Sequence, residues 1–231
     1  PRMQGIKRDG DRSAPAANRT LSDLAYERIL EALYARRVPA GAFVSQSDLV
    51  TLLDIPVAPI RDALRVLEAE GVVIIHPRSG IEFIKPGLEL TKATYQFRGI
   101  IERAAVRVFT DTAEAQVFDT LASEHEALRT RIEATGLDAG ALNELERLEV
   151  LLHGAIVNSL NNPLIDTSYR RIHNYLRLVR LDRKLTPPLA LKSLREHLAI
   201  IHACALRDGD AADAAVQAHF AAAFQRHIGL H

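Results

Sequence analysis

A change of hydrophobic period between residues 54 and 84 constrains this chain more than any other feature. Asp54–Gly71 reads DIPVAPIRDALRVLEAEG. Ile60, Ala63, Leu64 and Leu67 recur at helical spacing and make one apolar stripe. Arg61 and Arg65 stand one turn apart on the other side, so two cations leave the same strip. Gly71 ends the helix, because glycine accepts the left-handed backbone of a helix C-terminus. Beyond it the apolar residues become continuous. The runs 72–75 and 81–84 flank Pro77-Arg78-Ser79-Gly80, which predicts a β-hairpin with Arg78 near its tip.

Two more helices are expected before this stretch. Thr20 or Ser22 can cap one that runs to about Arg37, with Leu21, Leu24, Ala25, Ile29 and Leu33 inward. Val38-Pro39-Ala40-Gly41 is a turn. Ser45 and Asp48 have the spacing of a capping box, which starts a short helix through Leu49, Leu52 and Leu53. Pro56 and Pro59 fall at the start of the next helix, where a missing N–H costs little. Three helices and a hairpin in this order describe a winged helix-turn-helix, whose last helix enters a DNA groove.

The run PAGAFVSQSDLVTLLDIPVAPIRDALRVLEAEGVVIIHPRSG resembles the DNA-binding domain of the GntR family of bacterial transcription regulators. Pro39, Gly41, Ser45, Leu49, Pro59, Arg61, Ala63, Leu64, Leu67, Glu68, Glu70, Gly71 and Gly80 stand where that pattern has them. The resemblance implies an operator in double-stranded DNA, contacted by Ser47, Val57, Ala58, Arg61, Arg65, Arg78 and Gly80. Two departures stand out. Gln46-Ser47 replaces the usual Glu-Arg, and Pro56-Val57-Ala58 replaces Ser/Thr-Arg-Thr. Val57 and Ala58 offer no hydrogen bond to a base edge but can pack on thymine methyls. Readout is therefore expected from Arg61, methyl contacts and groove shape.

Charge totals do not announce this partner. The first 86 residues hold 12 Lys and Arg against 11 Asp and Glu, and the remainder 17 against 18. DNA binding must rest on where the charges stand. At 48% hydrophobic and 25% charged the composition fits a globular protein, and no run has the roughly 18 apolar residues of a membrane span. The single cysteine, Cys204, leaves no internal disulfide and suits a cytoplasmic protein. No secretory leader is evident, and residues 1–19 are expected to be an unstructured basic leader.

Residues 20–85 form the expected winged domain, and the linker falls at 86–88, in the Lys85-Pro86-Gly87 stretch. Residues 89–231 are helical in pattern, with helices near 89–109, 113–134, 138–160, 162–182, 189–207 and 210–228. The fold class is mainly α: a winged helix-turn-helix with a small hairpin, then an all-α antiparallel bundle with room for a pocket. Glu149 and His153 leave one helix on the same face. His197 and His219 would be about 33 Å apart on one helix, but a turn at Asp208-Gly209 folds them level. Three imidazoles and a carboxylate suit Zn²⁺, Ni²⁺ or a similar divalent ion. His76, His125, His173, His202, His227 and His231 are read as structural or exposed.

ERLEVLLHGAIVNSLNNPL and REHLAIIHACALRDGDAADAAVQAHF resemble the FCD effector domain that accompanies such DNA-binding domains. The resemblance implies a metal held by Glu149, His153, His197 and His219. The family usually has Asp where this chain has Glu149, whose arm is longer by a methylene. Arg98, in YQFRGIIERAAVRV, matches an arginine that often faces the effector pocket; an ion pair with Glu102 is the alternative. Ser193, Tyr169 and Arg177 are further effector candidates. A homodimeric, ligand-responsive repressor is expected, sensing a small carboxylate beside the metal. A metal-dependent, hydrolase-like enzyme and a purely structural metal are the alternatives.

Overall fold

The computed structural model describes residues 20–181 and 185–228, and the chain divides into two compact units between Phe83 and Ile84. The expectation for residues 1–19 lies outside the described residues.

The first unit runs α1 (Leu21–Tyr34), β1 (Phe43–Val44), α2 (Gln46–Leu53), α3 (Val57–Ala69), β2 (Val73–His76) and β3 (Gly80–Phe83). Reciprocal capping boxes start α1 and α2. The Thr20 hydroxyl accepts from the Asp23 N–H at 3.1 Å while the Asp23 carboxylate accepts the Thr20 N–H at 3.0 Å. Ser45 and Asp48 repeat the pattern at 3.1 and 2.8 Å. The helical stripe of α3 is realised, with Ile60, Ala63, Leu64 and Leu67 all buried. The inward face of α1 is instead Ala25, Ile29, Leu30, Ala32 and Leu33. Leu21, in the first turn, is 57% exposed, so it is not part of the core. The helix also stops before Arg37, because Arg36 takes a φ of 58° and breaks the helical run.

The hairpin pairs Val73 with Phe83 and Ile75 with Ile81. A third strand joins it: β1 adds to β3 through Phe43–Glu82 and Val44–Ile81 pairs, giving the order β1-β3-β2. Two residues carry no periodicity, so β1 was not evident in sequence. Gly80 lets this sheet close. Its φ is +132°, and a Cβ there would lie 2.8 Å from Phe43 Cε1 and from the Val44 carbonyl oxygen. Side chains tie the hairpin and α1 to α3. The Ile75 N–H donates to Glu68 at 2.9 Å, and the Tyr26 hydroxyl donates to Glu70 at 2.8 Å.

The second unit is α4 (Leu88–Thr112), α5 (Ala115–Thr135), α6 (Ala139–Asn158), α7 (Pro163–Leu181), α8 (Pro187–Ala205) and α9 (Gly209–His227). Asp138 caps α6 by accepting from the Ala141 N–H, and Asp208 caps α9 by accepting from Ala211. Two apolar clusters fill the bundle. One gathers Phe109, Phe118, Leu121, Leu152, Ile200, Ile201 and Phe220. The other gathers Leu128, Ile132, Leu145, Leu148 and Leu194. On three helices a buried polar residue falls where one cluster gives way to the other: His125 between Leu121 and Leu128, Glu149 between Leu148 and Leu152, and His197 between Leu194 and Ile200. The bundle therefore carries a polar layer inside its core.

Replacing Gly80 by valine should destabilise the first unit by about 1–3 kcal/mol, through backbone strain and the clash with β1. Urea unfolding of the variant checks this, and an unchanged midpoint would contradict the role given to Gly80.

Candidate metal centre and adjoining pocket

Glu149 and His153 come from α6, His197 from α8 and His219 from α9. One ligand atom from each lies within 4.8 Å of those from the other three, and all four residues are buried. The turn at Asp208 folds α9 back along α8, so the His197 and His219 rings approach to 4.8 Å between centroids. The Nε2 atoms of His153, His197 and His219 are buried and make no hydrogen bond. Those of His153 and His197 lie 3.4 and 3.3 Å from Glu149 oxygens, within ion-pair range but outside hydrogen-bond geometry. Leaving three buried imidazole nitrogens without partners is costly unless something else binds them. A divalent ion of borderline softness fits this donor set.

The opposite edge of each ring is held. His153 Nδ1 meets the Glu102 carboxylate. His219 Nδ1 meets Glu196 at 2.9 Å, and Arg226 clamps Glu196 with two bonds of 2.7 Å. His197 Nδ1 meets His125 Nε2 at 3.2 Å, and His125 Nδ1 meets the Leu121 carbonyl at 2.7 Å. A carbonyl only accepts, so His125 Nδ1 must carry its proton. The neutral His125 then presents a bare Nε2, to which His197 Nδ1–H donates. That leaves His197 Nε2 as a lone pair aimed into the centre. Carboxylates at Nδ1 impose the same tautomer on His153 and His219.

Charges around the centre are matched. Arg98 is 2% exposed and Glu102 fully buried, with Arg98 Nε donating to Glu102 at 2.7 Å. Tyr169 donates to the same Glu102 oxygen at 2.6 Å. Arg180 donates to Glu149 at 2.5 Å, and Arg98 Nη1 reaches it at 3.4 Å. Burial alone would raise both carboxyls. Arg98 and His153 overcome it and hold Glu102 at about 2, and Arg180 and the histidines hold Glu149 well below the usual carboxylate range. Burial lowers the three site histidines despite the carboxylates beside them. Neutral imidazoles and ionised carboxylates are the forms that ligate metal.

A cavity of about 300 Å³ adjoins the centre, walled by Arg98, Glu149 and His153 and, from α7, by Tyr169, Arg170 and His173. Of the expected effector residues, Arg98 and Tyr169 are brought here. Arg98 pairs with Glu102 and also lines the cavity. Ser193 and Arg177 are not brought to it. Ser193 stays on α8, and Arg177 turns to Glu146 at 2.7 Å. Arg180 and Glu196 were not singled out from the sequence, Glu102 was named only as an ion-pair partner for Arg98, and His125 was read as structural or exposed. Only Glu102 had a signal there, the four-residue spacing from Arg98.

In the first unit Ser47, Val57, Ala58, Arg61, Arg65 and Arg78 are all exposed. Arg65 lies 3.6 Å from Asp62, and the Ser47 hydroxyl bonds to that of Ser45. Arg78 sits in the wing turn with a φ of 68°. Gly80 has a steric reason of its own in the sheet, given above.

The family model for the FCD domain matches residues 93–222, and that for bacterial regulatory proteins of the gntR family matches 21–83. The chain belongs to the GntR family of regulators that carry an FCD domain. It is similar to the HTH-type transcriptional repressor NanR of Citrobacter rodentium, at 25% identity over 90% of this chain and 85% of the relative. It is also similar to the HTH-type transcriptional regulator YdhC of Bacillus subtilis, at 22% identity over 84% of this chain and 85% of the relative. The E. coli structure McbR/YncC shares the fold, with a TM-score of 0.73 at 16% identity over 91% of this chain and 98% of that one. In this GntR-family chain the winged helix-turn-helix and the helical bundle are joined by the four residues between β3 and α4.

Two histidines of this GntR-family chain, buried His125 and half-buried His173, set an acid limit on its second unit. His125 and His173 are held down to about 4, first by burial and then by nearby imidazoles or guanidinium groups. Their ordinary value is about 6.5, so the unfolded chain takes up their protons first as pH falls. Metal-free protein should therefore keep its stability above pH 6.5 and lose it between about 6.5 and 4. The loss approaches about 1.4 kcal/mol per pH unit for each histidine. Melting temperature against pH checks this, and a flat profile across that window would contradict it.

Proposed function

We propose that this regulator is a homodimeric repressor that senses a small carboxylate in the bundle and releases its operator in response. The observation that carries the reading is the convergence of three buried, unpartnered imidazole nitrogens and the Glu149 carboxylate beside a cavity that Arg98 also lines. Glu149, His153, His197 and His219 would hold the metal, Zn²⁺ being the best match and Ni²⁺ the next. Four protein ligands would fill a tetrahedral zinc, so an incoming carboxylate would join as a fifth ligand. Arg98 adds a guanidinium for the ligand's other oxygen. Arg98 stands on α4, the helix that follows the wing directly, so a ligand that shifts α4 acts on the element leading to the DNA-binding unit. Two copies related by a two-fold axis would place two recognition helices on a palindromic operator.

On DNA, Arg61 is the base-reading cation, Val57 and Ala58 are methyl-contacting positions, and Arg65, Arg78 and Ser47 face phosphates. A hydrolytic reading of the same centre is weaker. Glu102, held at about 2, and Glu149, held lower than its ordinary value, are poor bases near neutral pH.

Two measurements test the proposal. Protein purified without a histidine tag should contain about one divalent ion per chain, and His197→Ala with His219→Ala should abolish it. Equal, negligible metal in both proteins would reject the site. Gel shift on the operator should show Arg61→Ala binding about tenfold or more weakly than the parent. Unchanged affinity would remove Arg61 from readout.

A further inference from the structure

The cavity beside the metal centre has a second polar end. The turn at 159–162 joins α6 to α7, so Asn158, closing α6, and Asp166, in the first turn of α7, wall one end of the cavity. Glu149 and His153 wall the other. The helix rise sets Asn158 about 10 Å along α6 from the metal-binding level. Neither carboxylate oxygen of Asp166 has a hydrogen bond or ion pair among the described residues, and Oδ1 is fully buried. An acid in the first turn of a helix is ordinary, because the helix dipole favours it. A buried oxygen with no donor is not, since desolvation goes unanswered. Arg170, one turn on, is the natural i,i+4 partner, yet it remains exposed and does not close on Asp166.

The wall between the two ends is open. Gly154 faces the cavity in mid-α6, and no heavy atom lies within 4 Å of where its Cβ would stand. Glycine weakens a helix relative to alanine, and no neighbour here requires the missing side chain. Its absence instead leaves room along the line from the metal-binding level to Asp166. Val150, Val157 and Leu176 line the cavity as well and give it apolar sides.

We propose that the effector is an elongated carboxylate with a hydrogen-bond donor, ammonium or hydroxyl, at its far end. Its carboxylate occupies the Glu149, His153 and Arg98 end, and its donor satisfies Asp166 with Asn158 beside it. The inference rests on the carboxylate reading above and adds a second determinant to it. Asp166 rather than Arg170 decides the far end, because one Asp166 oxygen is shut off from water without a donor while Arg170 is exposed.

Calorimetric titration of the zinc-loaded full chain with hexanoate, 6-aminohexanoate, 6-hydroxyhexanoate and adipate tests this. At least one donor-bearing probe should bind about tenfold tighter than hexanoate, and adipate should bind weakest. Asp166→Asn should erase the donor's advantage and leave hexanoate affinity unchanged, which also shows that the variant's cavity is intact. Hexanoate binding as tightly as both donor probes, or adipate binding best, overturns this inference alone. If none of the four binds, the carboxylate reading falls with it.

Discussion

The pairing of Arg98 with Glu102 is the contact on which the helical unit's interior depends. Both side chains are removed from water almost completely, and neither could stay ionised there unmatched. The pair sits one turn apart on α4, and each member is used again. Glu102 also accepts from Tyr169 and meets His153, while Arg98 reaches Glu149 and stacks over the Phe220 ring at 4.7 Å. Four helices, α4, α6, α7 and α9, are thus tied through one ion pair. Removing either partner would leave a buried charge alone and disturb all of them.

That pair also explains why an unusual density of titratable groups is tolerated. Glu102, Glu149 and Glu196 are each committed to a guanidinium, and each of the three site histidines to an outer acceptor. The three imidazole Nε2 atoms left without hydrogen bonds converge with the Glu149 carboxylate on one place, while Arg180 Nε and Arg226 Nε nearby are also left without partners. This polar layer lies between the two apolar clusters, and the cavity adjoins it at Glu149 and His153. On the function proposed above, a ligand that engaged Arg98 or Glu149 would compete with contacts that hold the bundle together, and so would act on α4.

The DNA-binding unit is organised differently. Its recognition helix keeps its inner stripe and its exposed Arg61, but its first turn is Pro56-Val57-Ala58, which offers no side-chain cap. Its wing depends on a backbone detail, the φ of Gly80, that allows a two-residue strand to close the sheet. The buried stripe and the exposed Val57, Ala58, Arg61 and Arg65 stand on different faces of α3.

Local signals were legible where chemistry is local. The capping boxes at Thr20 and Ser45, the stripe of Ile60, Ala63, Leu64 and Leu67, the turn at Asp208 and the spacing of Glu149 and His153 depend on residues a few positions apart. From these, and from the resemblance they carried, the sequence by itself determined the helical order, the winged unit and the four residues that converge. Tertiary structure decided what no spacing encodes. β1 exists only because β3 lies beside it. Ser193, Tyr169 and Arg177 were all effector candidates, but the packing of α7 and α8 brought only Tyr169 to the cavity. His125 read as structural or exposed, and its place as the acceptor for His197 arises 72 residues away in the chain. Arg180 and Glu196 gained partners the same way. Such contacts depend on where helices distant in sequence come to rest against one another, and that is set by the whole core.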